Sequence, residues 1–182
     1  WTKLVLEFLY LHKLKNNEMK KIVFLTMLLA GTFAHAQAFK EKGDIKGQVG
    51  LNVQDGGTGI TATADFGLGE NLSYGFTATY LLNADRIYDI KPGFDDRADL
   101  KARINANIGN VLKIDPKLDV YPGLNLGLRN FGAHLGARYF FTDGFGLFAE
   151  GGVPLAKYKT DPVGFDYYNN QFTFVIGASF NL

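Results

Sequence analysis

The sequence contains no cysteine, and this absence excludes disulfides, thiolate metal sites and thiol catalysis. An excess of charge of one sign is also missing, because 19 Lys and Arg residues oppose 18 Asp and Glu residues. A nucleic-acid-binding surface is therefore not indicated. The apolar stretch at residues 22–30 has about half of the ~20 residues that a membrane-spanning helix needs. No residue pattern indicates a cofactor.

Glycine and aromatic residues are abundant instead. The chain has 182 residues, of which 22 are Gly, 16 Phe and 9 Tyr, and 47% are hydrophobic. This composition is too apolar for a disordered chain, and it favours many short strands joined by turns over a helical domain. The length predicts one domain after processing.

Residues 19–36 have the pattern of a secretory signal peptide. Lys20 and Lys21 form a basic start, a short apolar core follows, and the segment ends in Ala34-His35-Ala36. Cleavage after Ala36 is the expected processing step. A retained anchor is the alternative, but the apolar core is short for one.

Residues 1–18 precede this signal, and the first of them is Trp1. We interpret them as translated upstream sequence or a gene-call extension. An amphipathic helix is the alternative, because Leu4, Phe8 and Leu11 would share a helical face. The predicted mature domain comprises residues 37–182.

Eight segments of the mature chain alternate apolar and polar residues with a period of two, which is typical of strands. They lie at 45–54, 60–68, 72–82, 99–108, 118–128, 133–141, 145–153 and 172–182. Pro122, within the fifth segment, predicts a bulge or a weakly paired position. Two long connections lie at about 83–96 and 159–170.

The composition of the polar face indicates which side of the strands points inward. That face is mostly Gly, Asn, Thr, Ser and Gln, which suits a small closed interior, whereas a face bathed in water is usually rich in Lys and Glu. We therefore predict an all-β, eight-stranded, antiparallel up-and-down transmembrane β-barrel with its apolar face toward lipid. A secreted lipocalin-like barrel would have the opposite orientation.

Three segments carry a resemblance to a known group of proteins. They are 136–150, with the sequence GARYFFTDGFGLFAE, 119–124, with DVYPGL, and the ending 177–182, with GASFNL. The chain resembles the small OmpA/OmpX-type outer-membrane barrels and is similar to an uncharacterised flavobacterial, Bacteroidota-type barrel family. The resemblance implies the outer membrane of a Gram-negative bacterium, contact with outer-membrane lipid, and insertion by the outer-membrane assembly machinery.

Charged side chains are expected in the barrel interior, where they must be paired to offset desolvation. The predicted interior polar network consists of Lys46, Asp65, Asp99, Lys101, Arg103, Asp119, His134, Arg138 and Glu150. Because the interior of an eight-stranded barrel is just wide enough for side chains, open diffusion is not expected.

Two more specific chemistries are alternatives. His134, the one histidine of the mature chain, could form a hydrolase site with Ser73 or Glu150, as in lipid A deacylases, but no sequence spacing supports a triad. The four aspartates of the first long loop could hold Ca²⁺, although they match no EF-hand spacing, and a solvated acidic loop is the simpler interpretation. These aspartates are Asp85, Asp89, Asp95 and Asp96.

Aromatic residues fall into two groups. Those of the long loops, expected either to contact an extracellular partner or to pack the loops together, are Tyr88, Phe94, Phe165, Tyr167 and Tyr168. Those of the outward strand faces, expected to form membrane girdles, are Tyr74, Tyr80, Tyr139, Phe141, Phe145 and Phe180.

The sequence thus predicts a non-enzymatic outer-membrane barrel with a structural or surface-interaction role carried by its loops. A narrow pore or small-ligand carrier is the first alternative. A lipid-modifying enzyme and a secreted lipocalin-like binder are the others.

Overall fold

A computed structural model describes residues 42–86, 88–158, 160 and 165–182. The predicted signal peptide at 19–36 and the upstream segment at 1–18 lie outside the described residues.

Eight strands form one closed barrel in which each strand pairs antiparallel with the next and β1 pairs with β8. The predicted eight-stranded antiparallel barrel is confirmed. The strands are β1 (Ile45–Gln54), β2 (Gly57–Gly67), β3 (Leu72–Ala84), β4 (Ala98–Ala106), β5 (Leu118–Gly127), β6 (Asn130–Phe140), β7 (Phe145–Lys157) and β8 (Thr173–Asn181).

Three short helical segments lie in the connections. They are α1 (Phe94–Arg97), α2 (Gly109–Leu112) and a 3-10 helix (Asp166–Asn169). Within the part of the chain that the structure describes, none of the helices has the length and apolarity needed to cross a membrane.

The alternation of the sequence places polar side chains inside and apolar side chains outside. On β1, Lys46, Gln48 and Asn52 are buried in the lumen, whereas Val49 and Leu51 are exposed on the outer surface. The same pattern continues around the barrel, so that the buried side chains are mainly polar or charged and the exposed large side chains are apolar. The barrel is therefore inverted relative to a soluble protein with an apolar core.

The two ends of the barrel carry different connections. Both chain ends of the barrel and the connections after β2, β4 and β6 lie at one end, which we call the termini end. The connections after β1, β3, β5 and β7 lie at the other, which we call the loop end. The β1–β2 turn is only two residues long, and Gly56 adopts a φ of 68°, which favours glycine.

The pairing of β5 follows the expectation for Pro122. Pairing of β4 with β5 runs from Lys101 opposite Gly127 to Asn105 opposite Gly123 and stops before Pro122. Pairing of β5 with β6 continues through Pro122 without a register shift. Proline has no backbone N–H to donate to a neighbouring strand. Pro122 accordingly lies beyond the last pair of the β4–β5 ladder, as expected for a weakly paired position, and no bulge forms in the β5–β6 ladder.

Candidate functional site

A buried ion-pair network centred on Arg138 fills the lumen from the termini end toward its middle. The Nε and Nη2 atoms of Arg138 donate to Oδ2 of Asp119, at 3.0 and 2.8 Å. Nη1 lies 3.4 Å from Oδ2 of Asp65, and Nη2 also donates to the amide oxygen of Asn107 at 2.9 Å. The guanidinium is therefore held by groups from β2, β5 and the β4–β5 connection.

A second guanidinium, that of Arg103, joins the same network. Its Nη1 and Nη2 atoms donate to the two carboxylate oxygens of Glu150, at 3.1 and 2.8 Å. Its Nε lies 3.3 Å from Oδ1 of Asp65, so Asp65 is shared by both arginines. Three carboxylates thus surround two buried cations, and each charge has an opposite charge in contact, which offsets its desolvation.

The ring of Tyr121 lies between the two guanidinium groups. Its centroid is 4.6 Å from Cζ of Arg138 and 5.6 Å from Cζ of Arg103. The phenol oxygen accepts a hydrogen bond from Nε2 of Gln48 at 3.1 Å. Such cation–π contacts are strong when they are desolvated, as here.

A glycine makes room for this ring. Tyr121 and Gly136 are opposed across β5 and β6. A Cβ atom at position 136 would lie 2.2 Å from Cζ of Tyr121, well inside van der Waals contact. The alternation of residues 118–128 puts Tyr121 on the polar face together with Asp119, although the sequence indicates no role for it. The available signal was a large aromatic residue on a face otherwise made of small and polar residues.

His134 belongs to the network through amide groups. Its Nε2 lies 2.7 Å from Oδ1 of Asn105, which also accepts from Nε of Arg103 at 3.1 Å. Its Nδ1 lies 3.3 Å from Nδ2 of Asn125. An amide oxygen accepts and an amide nitrogen donates, so the neutral tautomer with hydrogen on Nε2 satisfies both contacts.

The hydrolase alternative finds no support in this geometry. The hydroxyl oxygen of Ser73 accepts from Nδ2 of Asn105 at 3.1 Å, and Glu150 is engaged by Arg103. Among the described residues, no hydrogen bond joins His134 to Ser73 or to Glu150. A base within reach of its nucleophile, which acyl transfer by such a triad needs, is not formed here.

The other predicted interior charges lie toward the two ends of the lumen. At the termini end, Nζ of Lys46 donates to Asp44 at 2.7 Å and lies 5.3 Å above the ring of Phe140. Toward the loop end, Nζ of Lys101 lies 3.2 Å from Asp99. All nine predicted charges and polar groups are on the inner face. Lys46 lies directly opposite Asp65 of the network on the neighbouring strand, and Lys101 pairs with Asp99 nearer the loop end.

The segment after β7 closes the loop end of the lumen. We call residues 165–171 the lid; it includes the 3-10 helix. The rings of Phe165 and Tyr168 stack with centroids 6.1 Å apart and pack with Leu81 of β3. Tyr168 is 2% exposed, and its burial raises the pKa of its phenol.

Hydrogen bonds hold the lid to the three other connections of the loop end. Gln54, at the end of β1, donates to the backbone oxygen of Tyr168 at 2.6 Å, and the phenol of Tyr168 donates to the backbone oxygen of Asp85. Asn169 donates to the backbone oxygen of Asp96 at 3.1 Å and accepts at its own backbone oxygen from Asn130. The lid is therefore an integrated part of the barrel mouth.

Burial separates the five loop aromatics that the sequence singled out. Phe165, 8% exposed, and Tyr168 face the lumen and pack with Leu81, which corresponds to the loop-packing alternative for these two residues. Tyr88 is 84% exposed and Phe94 is 67% exposed, and both lie in the β3–β4 connection. Tyr167 is partly exposed and donates to the carboxylate of Asp55.

The acidic loop shows no metal-binding arrangement. Within the described ranges, no group of three or more His, Asp or Glu side chains is placed to hold a metal ion. Asp96 instead accepts from the backbone N–H of Gly93 at 2.8 Å, at the start of α1.

A small polar cavity remains between the lid and the central network. Its volume is about 60 Å³, and its lining includes Arg103, Asn125, His134 and Glu150. This volume is far below the roughly 300–1,000 Å³ of sites that hold drug-sized ligands.

The comparisons with known proteins agree with the architecture. A solved structure described as "De novo design of transmembrane beta-barrels" matches with a TM-score of 0.53 and 13% identity, covering 79% of this chain and 99% of the designed chain. This likeness shows the shared fold. A search of the curated proteins finds no match. A family model matches residues 29–182, and the chain accordingly belongs to DUF6646, a family of unknown function.

Proposed function

We propose that this protein is a non-enzymatic, non-conducting β-barrel of the outer membrane of a Gram-negative bacterium, with a structural or surface-interaction role. It would be secreted by the signal peptide at 19–36 and inserted by the outer-membrane assembly machinery, as the resemblance to OmpA/OmpX-type barrels implies. The observation that carries the non-conducting role is the filled lumen, in which Arg138, Tyr121 and Arg103 stack across the middle.

The outer surface supports a membrane location. Large apolar side chains are exposed around the barrel, and the strands have 9 to 13 residues, enough for tilted membrane strands of ~9–11 residues. Aromatic pairs lie outside at both ends: Phe66 with Tyr74 at the termini end, and Tyr80 with Phe94 at the loop end. Aromatic rings at two levels are typical of the two membrane interfaces.

The lumen argues against the pore alternative. The central ion pairs are buried and the lid covers the loop end, where Leu81 and Tyr168 are almost fully buried. An ion crossing the barrel would have to displace paired charges as well as the lid. We therefore expect the interior side chains and the lid to close the lumen to ions.

The surface role falls to the β3–β4 connection. Phe165 and Tyr168 of the lid pack inward, whereas Tyr88 and Ile90 of the β3–β4 connection expose most of their side chains. Exposed aromatic side chains are common in binding surfaces. Of the two long loops named from the sequence, 83–96 and 159–170, we therefore propose the first as the contact for an extracellular partner.

Localisation of the protein expressed from Met19 tests this proposal. We expect recovery in the outer membrane, a gel mobility that shifts on boiling, and no ion conductance in a planar bilayer. Recovery as a soluble periplasmic monomer would contradict the membrane location and favour the lipocalin-like alternative. Steady single-channel conductance would contradict the plugged lumen and favour the pore.

A further inference from the structure

An apolar groove runs along the outer surface of the barrel from the loop end toward its middle. Its volume is about 580 Å³, within the roughly 300–1,000 Å³ of sites that hold drug-sized ligands. Ala62 of β2 and Ala78 of β3 are directly opposed, and Val49 and Leu100 continue the same row on either side. Two small side chains between two larger ones leave a depression in the apolar surface.

The barrel wall is less closed at the loop end of the groove. The β4–β5 ladder extends no further toward this end than Lys101 opposite Gly127, so the residues of β4 from Ala98 to Leu100 have no partner on β5. Leu128, just beyond β5, is exposed beside them. An elongated apolar ligand can thus enter from the rim of the barrel and lie on the wall.

A cation and two aromatic rings stand at the end of the groove. The ring of Phe94 lies 5.2 Å from that of Tyr80, and Cζ of Arg97 lies 5.0 Å from the centroid of Tyr80. The Nε of Arg97 donates to the backbone oxygen of Gly93 at 3.3 Å. Arg97 reaches the groove through its contact with Tyr80, and it also borders the polar cavity below the lid. Among the described residues, Arg97 forms no ion pair, so its guanidinium can pair with an anionic ligand at the rim.

Of the other charged side chains at this end of the groove, Arg129 and Asp99 lie beside an opposite charge. Arg129 donates to the backbone oxygen of Asp95 at 2.6 Å and lies 3.6 Å from the carboxylate of Asp166. Asp99, which also lines the groove, pairs with Lys101. The Asp95 carboxylate is the remaining acidic group, and it is exposed.

We propose that the groove binds one acyl chain of a phosphate-bearing lipid whose phosphate lies against Arg97. The inference rests on the membrane location given under the proposed function. Burial of an alkyl chain on the alanine floor supplies apolar contact, and a guanidinium pairs with phosphate through charge-assisted hydrogen bonds. Stacking on Tyr80 holds the guanidinium at the level where interfacial aromatic residues meet lipid headgroups.

Native mass spectrometry of the full protein in detergent tests the proposal, with dilauroyl phosphatidylglycerol as the probe and dilauroylglycerol as the phosphate-free control. We expect a one-to-one adduct with the phospholipid, weakened about tenfold by Arg97→Gln, since charge-assisted hydrogen bonds are involved. Ala78→Leu fills the floor and should weaken the adduct to a similar extent. Ala102→Leu, on the outer face of β4 and outside the groove, should leave it unchanged.

Asp95→Asn tests whether the recognised headgroup is anionic or cationic. Removal of this carboxylate should strengthen phospholipid binding, because it removes a negative charge beside the phosphate. Weaker binding would mean that a cationic headgroup is recognised and would overturn the proposal. Equal binding of dilauroylglycerol, or a protein dimer that Ala78→Leu abolishes, would also overturn it.

Gel mobility separates this inference from the proposed function. A wild-type protein that shifts on boiling but binds no phospholipid would overturn the lipid site and leave the membrane barrel in place. A wild-type protein recovered in soluble form would overturn both.

Discussion

Arg138 and Asp119 are opposed across β6 and β5, and two nitrogens of the arginine donate to one carboxylate oxygen, Oδ2, at 2.8 and 3.0 Å. Both side chains are almost completely buried. A buried pair of this kind leaves an uncompensated charge when one partner is removed.

Removal of the Asp119 carboxylate should therefore destabilise the barrel. We expect Asp119→Ala to lower the free energy of unfolding by ~3–5 kcal/mol, because it removes the carboxylate to which two nitrogens of the buried Arg138 guanidinium donate. Urea titration of the boiling-sensitive gel band measures this loss. Asp99→Ala, which breaks the more exposed pair with Lys101, is the matched control and should cost ~0–1 kcal/mol. Equal losses for both variants would contradict the special role of the central network.

The glycine opposite Tyr121 should not tolerate a side chain. In Gly136→Ala the new Cβ would overlap the phenol ring, and overpacking of this kind costs about 1–3 kcal/mol. Gly151→Ala on β7 is the control, since its Cβ would meet its first neighbour at 3.5 Å. Combining Gly136→Ala with Tyr121→Ala should recover part of the loss, and strict additivity of the two losses would argue against steric conflict.

The free-energy cost of an arginine on the outer face of the barrel should depend on its depth in the membrane. Leu126 is 57% exposed on the outer face of β5, and Leu128, two residues further toward the rim, is 79% exposed. We expect Leu126→Arg to impair membrane assembly by ~2–4 kcal/mol and Leu128→Arg by ~0–1 kcal/mol, because the rim lies near the interface. Folding yield into lipid vesicles measures both. A neutral Leu126→Arg would show that this face does not meet lipid.

Loosening the lid should not open the barrel. Tyr168→Ala removes the ring that packs on Leu81 and the hydrogen bond to Asp85, so hydrogen exchange in residues 165–171 should become faster. Conductance should still be absent, because Arg138, Tyr121 and Arg103 remain in place below. Tyr167→Phe, which alters a partly exposed phenol of the same lid, is the control. An open channel in Tyr168→Ala would show that the lid alone closes the lumen.

The strands were the most predictable part of the molecule. The alternation from Ile45 to Gln54 reproduces β1 residue for residue, because a period of two is a property of each strand alone. The predicted ends of the strands were less accurate. The predicted seventh segment ends at Val153, whereas β7 continues four residues further to Lys157, because the alternation fades near the rim. Strand ends depend on pairing with neighbours, which a single segment does not encode.

The site was predictable as a set of residues but not as an arrangement. Arg103 and Glu150 were both assigned to the interior, yet they come from β4 and β7 and meet across the lumen. Packing of Phe165 and Tyr168 within the loops was one of two alternatives, but their position over the lumen was not predicted, because they lie in a connection without periodicity. Their burial depends on Leu81 of β3, far away in the sequence.

The sequence by itself determined which side chains share a face, because the local geometry of a strand sends successive side chains to opposite faces. The composition of the polar face then indicated that this face points inward. The sequence also determined the strand number, through eight alternating segments separated by turn residues. The tertiary structure alone decided the partners within the lumen, such as Asp65 between Arg103 and Arg138, and the closure of the mouth by Tyr168. The physical reason is that these contacts depend on how the strands are staggered when the barrel closes, a collective property of all eight strands.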